Sequence, residues 1–346
     1  MALSEQRRKE LSTLLKPAAP PRELEDVYTQ DQLDRLLGVV RDHGPWKLII
    51  AQHFASAEEL IATLSGGAEN PGLTLDMFLT PTFRGFLANY SASLFPEIQD
   101  CFYNTRFLEL AKAYWGAKYA KPQMMLFNVN GPCGNTDPGH LDTPSSVMGK
   151  SGLFRDYMIK MAQVITWFSH DPDSGFTFWP RGPLEPPQRL ASPIYNRGVV
   201  VQNEMMYHRG EANGPLEQQR PPGLGFDTLF SGDPGSADHW LLKNGNDVIA
   251  RHHTRELRFL VHWSAEVFMD GEELKKNMDG TDNLTHERAI EMLIDDARQR
   301  GHDIATPSDP LHDPAFIQAI NAVYDVGGPV SYPECAPVTP LYTSAA

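Results

Sequence analysis

Cysteine is scarce in this chain of 346 residues: three occur, Cys101, Cys133 and Cys335, widely separated and odd in number. That excludes a disulfide framework or a cysteine-rich zinc module and suits the reduced thiols of a cytoplasmic protein. Long apolar runs are also missing. No stretch approaches the ~18 residues of a membrane-spanning helix, and residues 1–16 form a charged amphipathic stretch without a signal core. The expected location is cytoplasmic, with no membrane partner. Positive charge is in deficit, with 30 Lys+Arg against 44 Asp+Glu and a net charge of −14. A broad nucleic-acid surface is therefore excluded, although an acidic protein can hold a local basic pocket for an anionic small molecule. No internal repeat is visible. What the chain does have is proline and glycine, 28 and 27 residues, which suits many turns and short strands.

The first 120 residues read as a helical support by their apolar spacing, with helices expected at 4–15, 29–43, 56–64, 81–94 and 97–116. From Pro122 the pattern changes to strands. Runs at 123–130, 164–168, 175–180, 198–203 and 257–263, separated by Gly/Pro turns, predict a mainly β core over 121–270. The architecture expected is a double-stranded β-helix, a jelly-roll or cupin-like barrel. Residues 214–238 are rich in Pro and Gly and read as an insertion loop over the barrel mouth, a candidate mobile lid. Residues 271–346 return to helix, at 287–300 and 313–324, and end in a Pro-rich tail. All three segments are expected to form one integrated domain.

Among twelve histidines only His140 has a carboxylate two residues on, in Gly139-His140-Leu141-Asp142-Thr143-Pro144. On an extended strand i and i+2 share a side, so His140 and Asp142 can enter one metal together. A third ligand would complete a two-His, one-carboxylate triad, which leaves coordination positions of iron open. The candidate is His208, 68 positions after His140 in Tyr207-His208-Arg209-Gly210-Glu211-Ala212-Asn213. It follows a strand that can return to the same mouth.

Together His140, Asp142, His208 and Asn213 resemble the motif of the phytanoyl-CoA dioxygenase-like branch of the iron(II)/2-oxoglutarate-dependent oxygenases. Gly210 is displaced by one position from the family's glycine, and Gly139 replaces an aromatic often found before the first histidine. The resemblance covers roughly 120–265. It implies Fe(II) as cofactor, 2-oxoglutarate as co-substrate and dioxygen plus a small molecule as substrates. It also implies decarboxylation to succinate coupled to C–H oxidation, with hydroxylation the default. The same residues, His140, Asp142 and His208, would be both catalytic and metal-binding.

The family also places an arginine at the start of the last barrel strand, where a two-pronged guanidinium holds the distal carboxylate of the co-substrate. Three arginines compete. Arg220 has the more usual spacing from the distal histidine, but it precedes two prolines in a poor strand. In 255–263 alternation places Arg255 with Leu257, Phe259, Val261 and Trp263, and Arg258 with Leu260 and His262. The more apolar set is expected inside the barrel, which selects Arg255. Asn128 and Gln123, on the first barrel strand, complete the expected co-substrate set. Trp167, Phe178, Trp179 and Trp263 are candidates for an apolar pocket, with core packing the more ordinary role. Two alternatives stand beside the oxygenase: a cupin-like metalloenzyme that does not use 2-oxoglutarate, and a non-catalytic jelly-roll binding module. The sequence leaves the substrate, the outcome of oxidation and the oligomeric state open.

Overall fold

A computed structural model describes residues 4–68, 72–88, 95–134, 144–219, 221–281, 283–327 and 332–336. The strands are β1 (Arg22–Leu24), β2 (Trp46–Leu48), β3 (Thr82–Ala88), β4 (Tyr119–Asn130), β5 (Met161–Ser169), β6 (Phe176–Trp179), β7 (Gln188–Leu190), β8 (Ile194–Val201), β9 (Tyr207–Gly210), β10 (Leu229–Gly232), β11 (His239–Asn244), β12 (Asp247–His253) and β13 (Arg258–Phe268). The helices are α1 (Glu5–Leu14), α2 (Gln30–Asp42), α3 (Ile50–His53), α4 (Ala57–Ser65), α5 (Gln99–Phe102), α6 (Thr105–Trp115), α7 (Pro144–Ser151), α8 (Gly271–Asp279), α9 (His286–Gln299) and α10 (Pro314–Tyr324).

Ten strands form one sheet in the order β1-β8-β5-β13-β4-β3-β2-β10-β11-β12, and three form a second in the order β7-β6-β9. Paired backbone bonds between Cys133 and Asn213, each 2.8 Å, extend the small sheet beyond β9. Along the chain the barrel strands therefore visit the large sheet (β4), the edge of the small sheet (Cys133), the large (β5), the small (β6, β7), the large (β8), the small (β9) and the large again (β13). This alternation between two facing antiparallel sheets is a double-stranded β-helix, as the strand pattern implied. Helices support it from both ends of the chain.

The central strands are two-faced. On β13 Phe259, Val261, Trp263, Ala265 and Val267 are buried in one cluster with Leu33 and Leu36 of α2 and Phe107 and Ala111 of α6. The Trp263 indole donates to the Phe102 carbonyl at 2.7 Å, which fixes the helices on the sheet. The other face meets the small sheet through Ile165, Trp167, Val199 and Val201 against Phe176, Phe178 and Leu190. The N-terminal helices start where capping residues stand: Ser4, Thr29 and Ser56 each accept from a backbone N–H in the first turn. Thr29 and Gln32 complete a capping box.

Three local expectations are corrected. The helix expected over 81–94 is instead strand β3 in its described part, with Phe83 in the core. Gly85 there lies under the Trp46 ring, where an added Cβ would stand 2.8 Å from the ring carbons. The helix expected over 97–116 breaks at Asn104, whose side chain caps α6 by accepting from the Phe107 N–H. The Pro/Gly-rich insertion is not a loop throughout: residues 229–232 form β10, which pairs with β2 and β11 at the far end of the large sheet. Phe230 there is fully buried between Phe83 and Trp240, with ring centroids 5.2 and 5.0 Å away. No helix among the described residues is long and apolar enough to cross a membrane.

Candidate active site

Cross-strand register aligns the inward side chains in rows. Thr82, Asn130 and Arg258 form one row across β3, β4 and β13. Arg84, Asn128, Leu260 and Trp167 form the next, and Leu126, His262 and Ile165 the one after. Facing them on the small sheet, His208 stands beside Phe178, and Gly210 beside Phe176.

His208 is held by its neighbours. Its Nδ1 lies 2.7 Å from the Met206 carbonyl, which can only accept, so Nδ1 carries the proton and Nε2 keeps a lone pair. Asn203 Nδ2 meets that Nε2 at 3.2 Å. Burial pushes the pKa of His208 below its ordinary value, against the opposing pull of the Met206 carbonyl. A neutral imidazole with its far nitrogen oriented by a backbone carbonyl is the form in which histidine binds a metal. The donor chemistry of His208 thus fits the metal that the sequence implied.

His140 and Asp142 lie outside the described residues, as does Arg220. The described chain on either side of 135–143 borders β9. Cys133 pairs with Asn213 just past that strand. Further along the chain, Val147 of α7 is buried in a cluster with Tyr207. Among the described residues no group of three or more His, Cys, Asp or Glu could hold a metal.

The two arginines of the last strand are placed opposite to expectation. Strand β13 begins at Arg258, and Arg255 sits in a short 3-10 turn (Thr254–Glu256), exposed to solvent. A surface depression beside it is lined by Asp238, His253 and Glu256, outside the barrel. Arg258 is 3% exposed and directed inward. Its Nη1 donates to the Glu211 carbonyl at 2.8 Å and its Nε to Asn130 Oδ1 at 3.3 Å. Burial lowers its pKa, with Cys133, Glu211 and Asp171 opposing the shift. The error in the sequence reading was physical. The drier face of β13 packs on helices outside the barrel, and the inner face, with Arg258 and His262, is the more polar one.

Asn128 does lie on the inner face, where its Oδ1 accepts from Arg84 Nε at 2.9 Å. Gln123 falls at the register shift between β4 and β13 and accepts from the Ser264 hydroxyl at 2.9 Å. Trp179 and Trp263 are fully buried core residues, whereas Trp167 and Phe178 face the barrel interior.

The sequence reading missed Arg84 and His262. Burial pushes the Arg84 guanidinium down to about 10. Burial, with smaller contributions from the charges of Arg84 and His208, holds His262 near about 3. The His262 Nε2 is buried with no hydrogen-bond partner among the described residues. Arg84 was hidden because its segment read as helix, and His262 because its face of β13 was taken to point outward.

No protein-family model matches the sequence, and no curated protein matches it. Several solved structures are similar in outline. An oxidoreductase of the 2OG-Fe(II) oxygenase family from Burkholderia pseudomallei is 10% identical, with a TM-score of 0.38, over 77% of this chain and 93% of its own. The viral collagen prolyl hydroxylase vCPH from Paramecium Bursaria Chlorella virus-1, in complex with 2OG, is 10% identical, with a TM-score of 0.33, over 72% and 98%. HygX from Streptomyces hygroscopicus, with nickel and 2-oxoglutarate bound, is 8% identical, with a TM-score of 0.35, over 77% and 88%.

Proposed function

We propose that this chain is an iron(II)/2-oxoglutarate-dependent oxygenase that oxidises a C–H bond of a small molecule. His140, Asp142 and His208 would be the metal ligands and Arg258 the anchor for the distal carboxylate of 2-oxoglutarate. The phytanoyl-CoA dioxygenase-like motif supports the branch to which it would belong. Iron bound there would supply dioxygen activation coupled to decarboxylation of the co-substrate.

The observation that carries this reading is Arg258. A guanidinium inside a barrel is costly unless its charge is met. Here its partners among the described residues are an amide oxygen and a backbone carbonyl, and no carboxylate pairs with it. It stands at the start of the last barrel strand and faces the same interior as His208. A bound carboxylate would complete the pairing with two charge-assisted hydrogen bonds. A binding module or a cupin-like enzyme without 2-oxoglutarate has no such need for a buried cation.

The protein's own groups would divide the work. The Met206 carbonyl orients the His208 ring through Nδ1, and the Asn203 amide would give up Nε2 to the metal. Asn130 and the Glu211 carbonyl fix the plane of Arg258. Trp167, Phe176 and Phe178 keep water from the inner wall.

The test is anaerobic titration of 2-oxoglutarate into the iron-loaded full-length protein, followed in the visible region. A weak charge-transfer band is expected in the wild type. In Arg258→Gln it should appear only at 2-oxoglutarate concentrations roughly 10–100-fold higher, the loss expected for a charged hydrogen-bond partner, and Arg255→Gln should titrate as wild type. Iron binding without any band, or a requirement shifted by Arg255→Gln alone, would overturn the assignment.

A further inference from the structure

Arg84 is a second cation on the inner face of the barrel, and the co-substrate reading does not use it. It stands on β3, two strands from β13, in the row of Asn128 and Leu260. Leu260 packs on the interior cluster, so this row faces the barrel interior.

Several other arginines of the chain are fully partnered. Arg189 is paired with Glu211, Arg197 with Glu23 and Glu25, and Arg35 with Asp100. Arg41 spends its guanidinium on three backbone carbonyls and the Trp240 ring. Arg84 has neither arrangement. Its Nε donates to Asn128 Oδ1 at 2.9 Å, and Nη1 lies 3.5 Å from His53 Nε2. His53 is itself held towards its neutral form, by burial first and then by the charge of Arg84. Among the described residues no carboxylate pairs with Arg84, and Nη2 has no hydrogen-bond partner.

Arg84 is half-buried. Gln52 at the end of α3 donates to the Arg84 carbonyl at 2.6 Å, so α3 fixes the backbone at this point. His53 from the same helix borders the guanidinium on the side towards solvent. Arg84 therefore lies between the barrel interior and the rim. On the interior side the next row along the strands holds His262.

We propose that Arg84 is a substrate-binding residue, and that the substrate carries a carboxylate which lies against the Nη1/Nη2 edge of Arg84, taking the place of the contact between Nη1 and His53, while its oxidisable carbon extends towards His208. This rests on the oxygenase reading and deepens it, since it names the substrate class. Asn128 occupies Nε and so fixes the guanidinium plane. The remaining edge matches two carboxylate oxygens side by side. Two arginines on separate strands give two separate anion positions: Arg258 at the start of β13 for the co-substrate, and Arg84 nearer the rim for the molecule to be oxidised.

The test uses full-length protein loaded with nickel(II) and saturated with 2-oxoglutarate, titrated calorimetrically with octanoate, octanamide and sulfate. Octanoate should bind the wild type, and octanamide and sulfate should bind at least tenfold more weakly. Arg84→Gln should weaken octanoate by roughly 10–100-fold, and Arg84→Lys by less, because charge is kept and the fork is lost. Circular dichroism checks that each variant is folded. The proposal is overturned if octanamide or sulfate binds the wild type as well as octanoate, if octanoate does not bind, or if folded Arg84→Gln binds it like the wild type. The two readings fail separately. Arg258-dependent 2-oxoglutarate binding with octanoate indifferent to Arg84 removes only the Arg84 proposal. Octanoate binding to metal-free protein that depends on Arg84, without any 2-oxoglutarate binding, removes only the oxygenase reading.

Discussion

Arg258 and Gly210 meet across the two sheets: a Cβ added at Gly210 would stand 3.0 Å from Arg258 Nη2. The glycine three residues before Asn213 therefore has a steric reason. It leaves room for a guanidinium held by Asn130 of the large sheet and by the carbonyl of the adjoining Glu211. Gly210→Ala should shift the guanidinium by a few tenths of an ångström without touching the proposed metal ligands. The expected outcome is about a tenfold loss of 2-oxoglutarate affinity, or ~1.4 kcal/mol, with iron content unchanged. Anaerobic titration of the visible band measures it, and wild-type affinity in Gly210→Val would show that the contact is slack.

Glu211 supplies the frame behind that arginine. Its carboxylate is fully buried and accepts from the Gly175 N–H, the Thr177 hydroxyl and two Arg189 nitrogens. Removing one partner strands a buried charge, so Arg189→Met should cost about 3–5 kcal/mol. Glu211→Gln combined with Arg189→Met should recover part of that loss, because the uncompensated charge disappears. Denaturant unfolding of the two single variants and the double variant measures the coupling. Additive losses would mean that the ion pair is not what organises the small sheet.

Much of this architecture was legible in local sequence. Capping residues Thr29 and Ser56 mark helix starts, and the β-branched and aromatic runs around Val164 and Val199 mark strands. What stayed hidden depends on partners distant in sequence. β3 reads as a helix until Trp46 is known to lie over Gly85. The inner face of β13 reads as the outer one until α2 and α6 are known to cover Phe259, Val261 and Trp263. Of the candidate site, His208 is named by its sequence context, and the structure holds its ring on the Met206 carbonyl, while His140 and Asp142 lie outside the described residues. The site was not legible at Arg258, because alternation groups residues on a face without saying which face is inside.

The insertion after β9 illustrates the same limit, and it changes an expectation about dynamics. Its proline and glycine content suggested a lid, but Phe230 is a core residue stacked between Phe83 and Trp240. Phe230→Ala should behave as a core truncation and cost about 3–5 kcal/mol. Thermal or denaturant unfolding should show that loss, while 2-oxoglutarate affinity below the melting range stays at the wild-type value. Altered co-substrate binding with unchanged stability would restore the lid.

The last expectation concerns acid stability and the helices behind the sheet. Arg35 on α2 forks onto both oxygens of Asp100 on α5, at 2.6 and 3.0 Å, and Gln32 adds a third bond. The Arg35 guanidinium is the main cause that holds the Asp100 carboxyl down at about 2. An unfolded aspartate titrates near ~3.9. With the folded value depressed, the ionised form favours the folded state. This contribution is fully present above pH ~4 and is lost as the pH falls through about 2. The Asp100 side chain is 52% exposed, so solvent screening limits the pair to below about 1 kcal/mol. Asp100→Asn should lower the unfolding midpoint slightly at pH 7, and the difference from wild type should shrink between pH 4 and pH 2. High salt should shrink it as well. A difference that stays constant from pH 7 to pH 2 would mean that Asp100 acts by packing or neutral hydrogen bonding, and that the charge on Arg35 is not what ties α2 to α5.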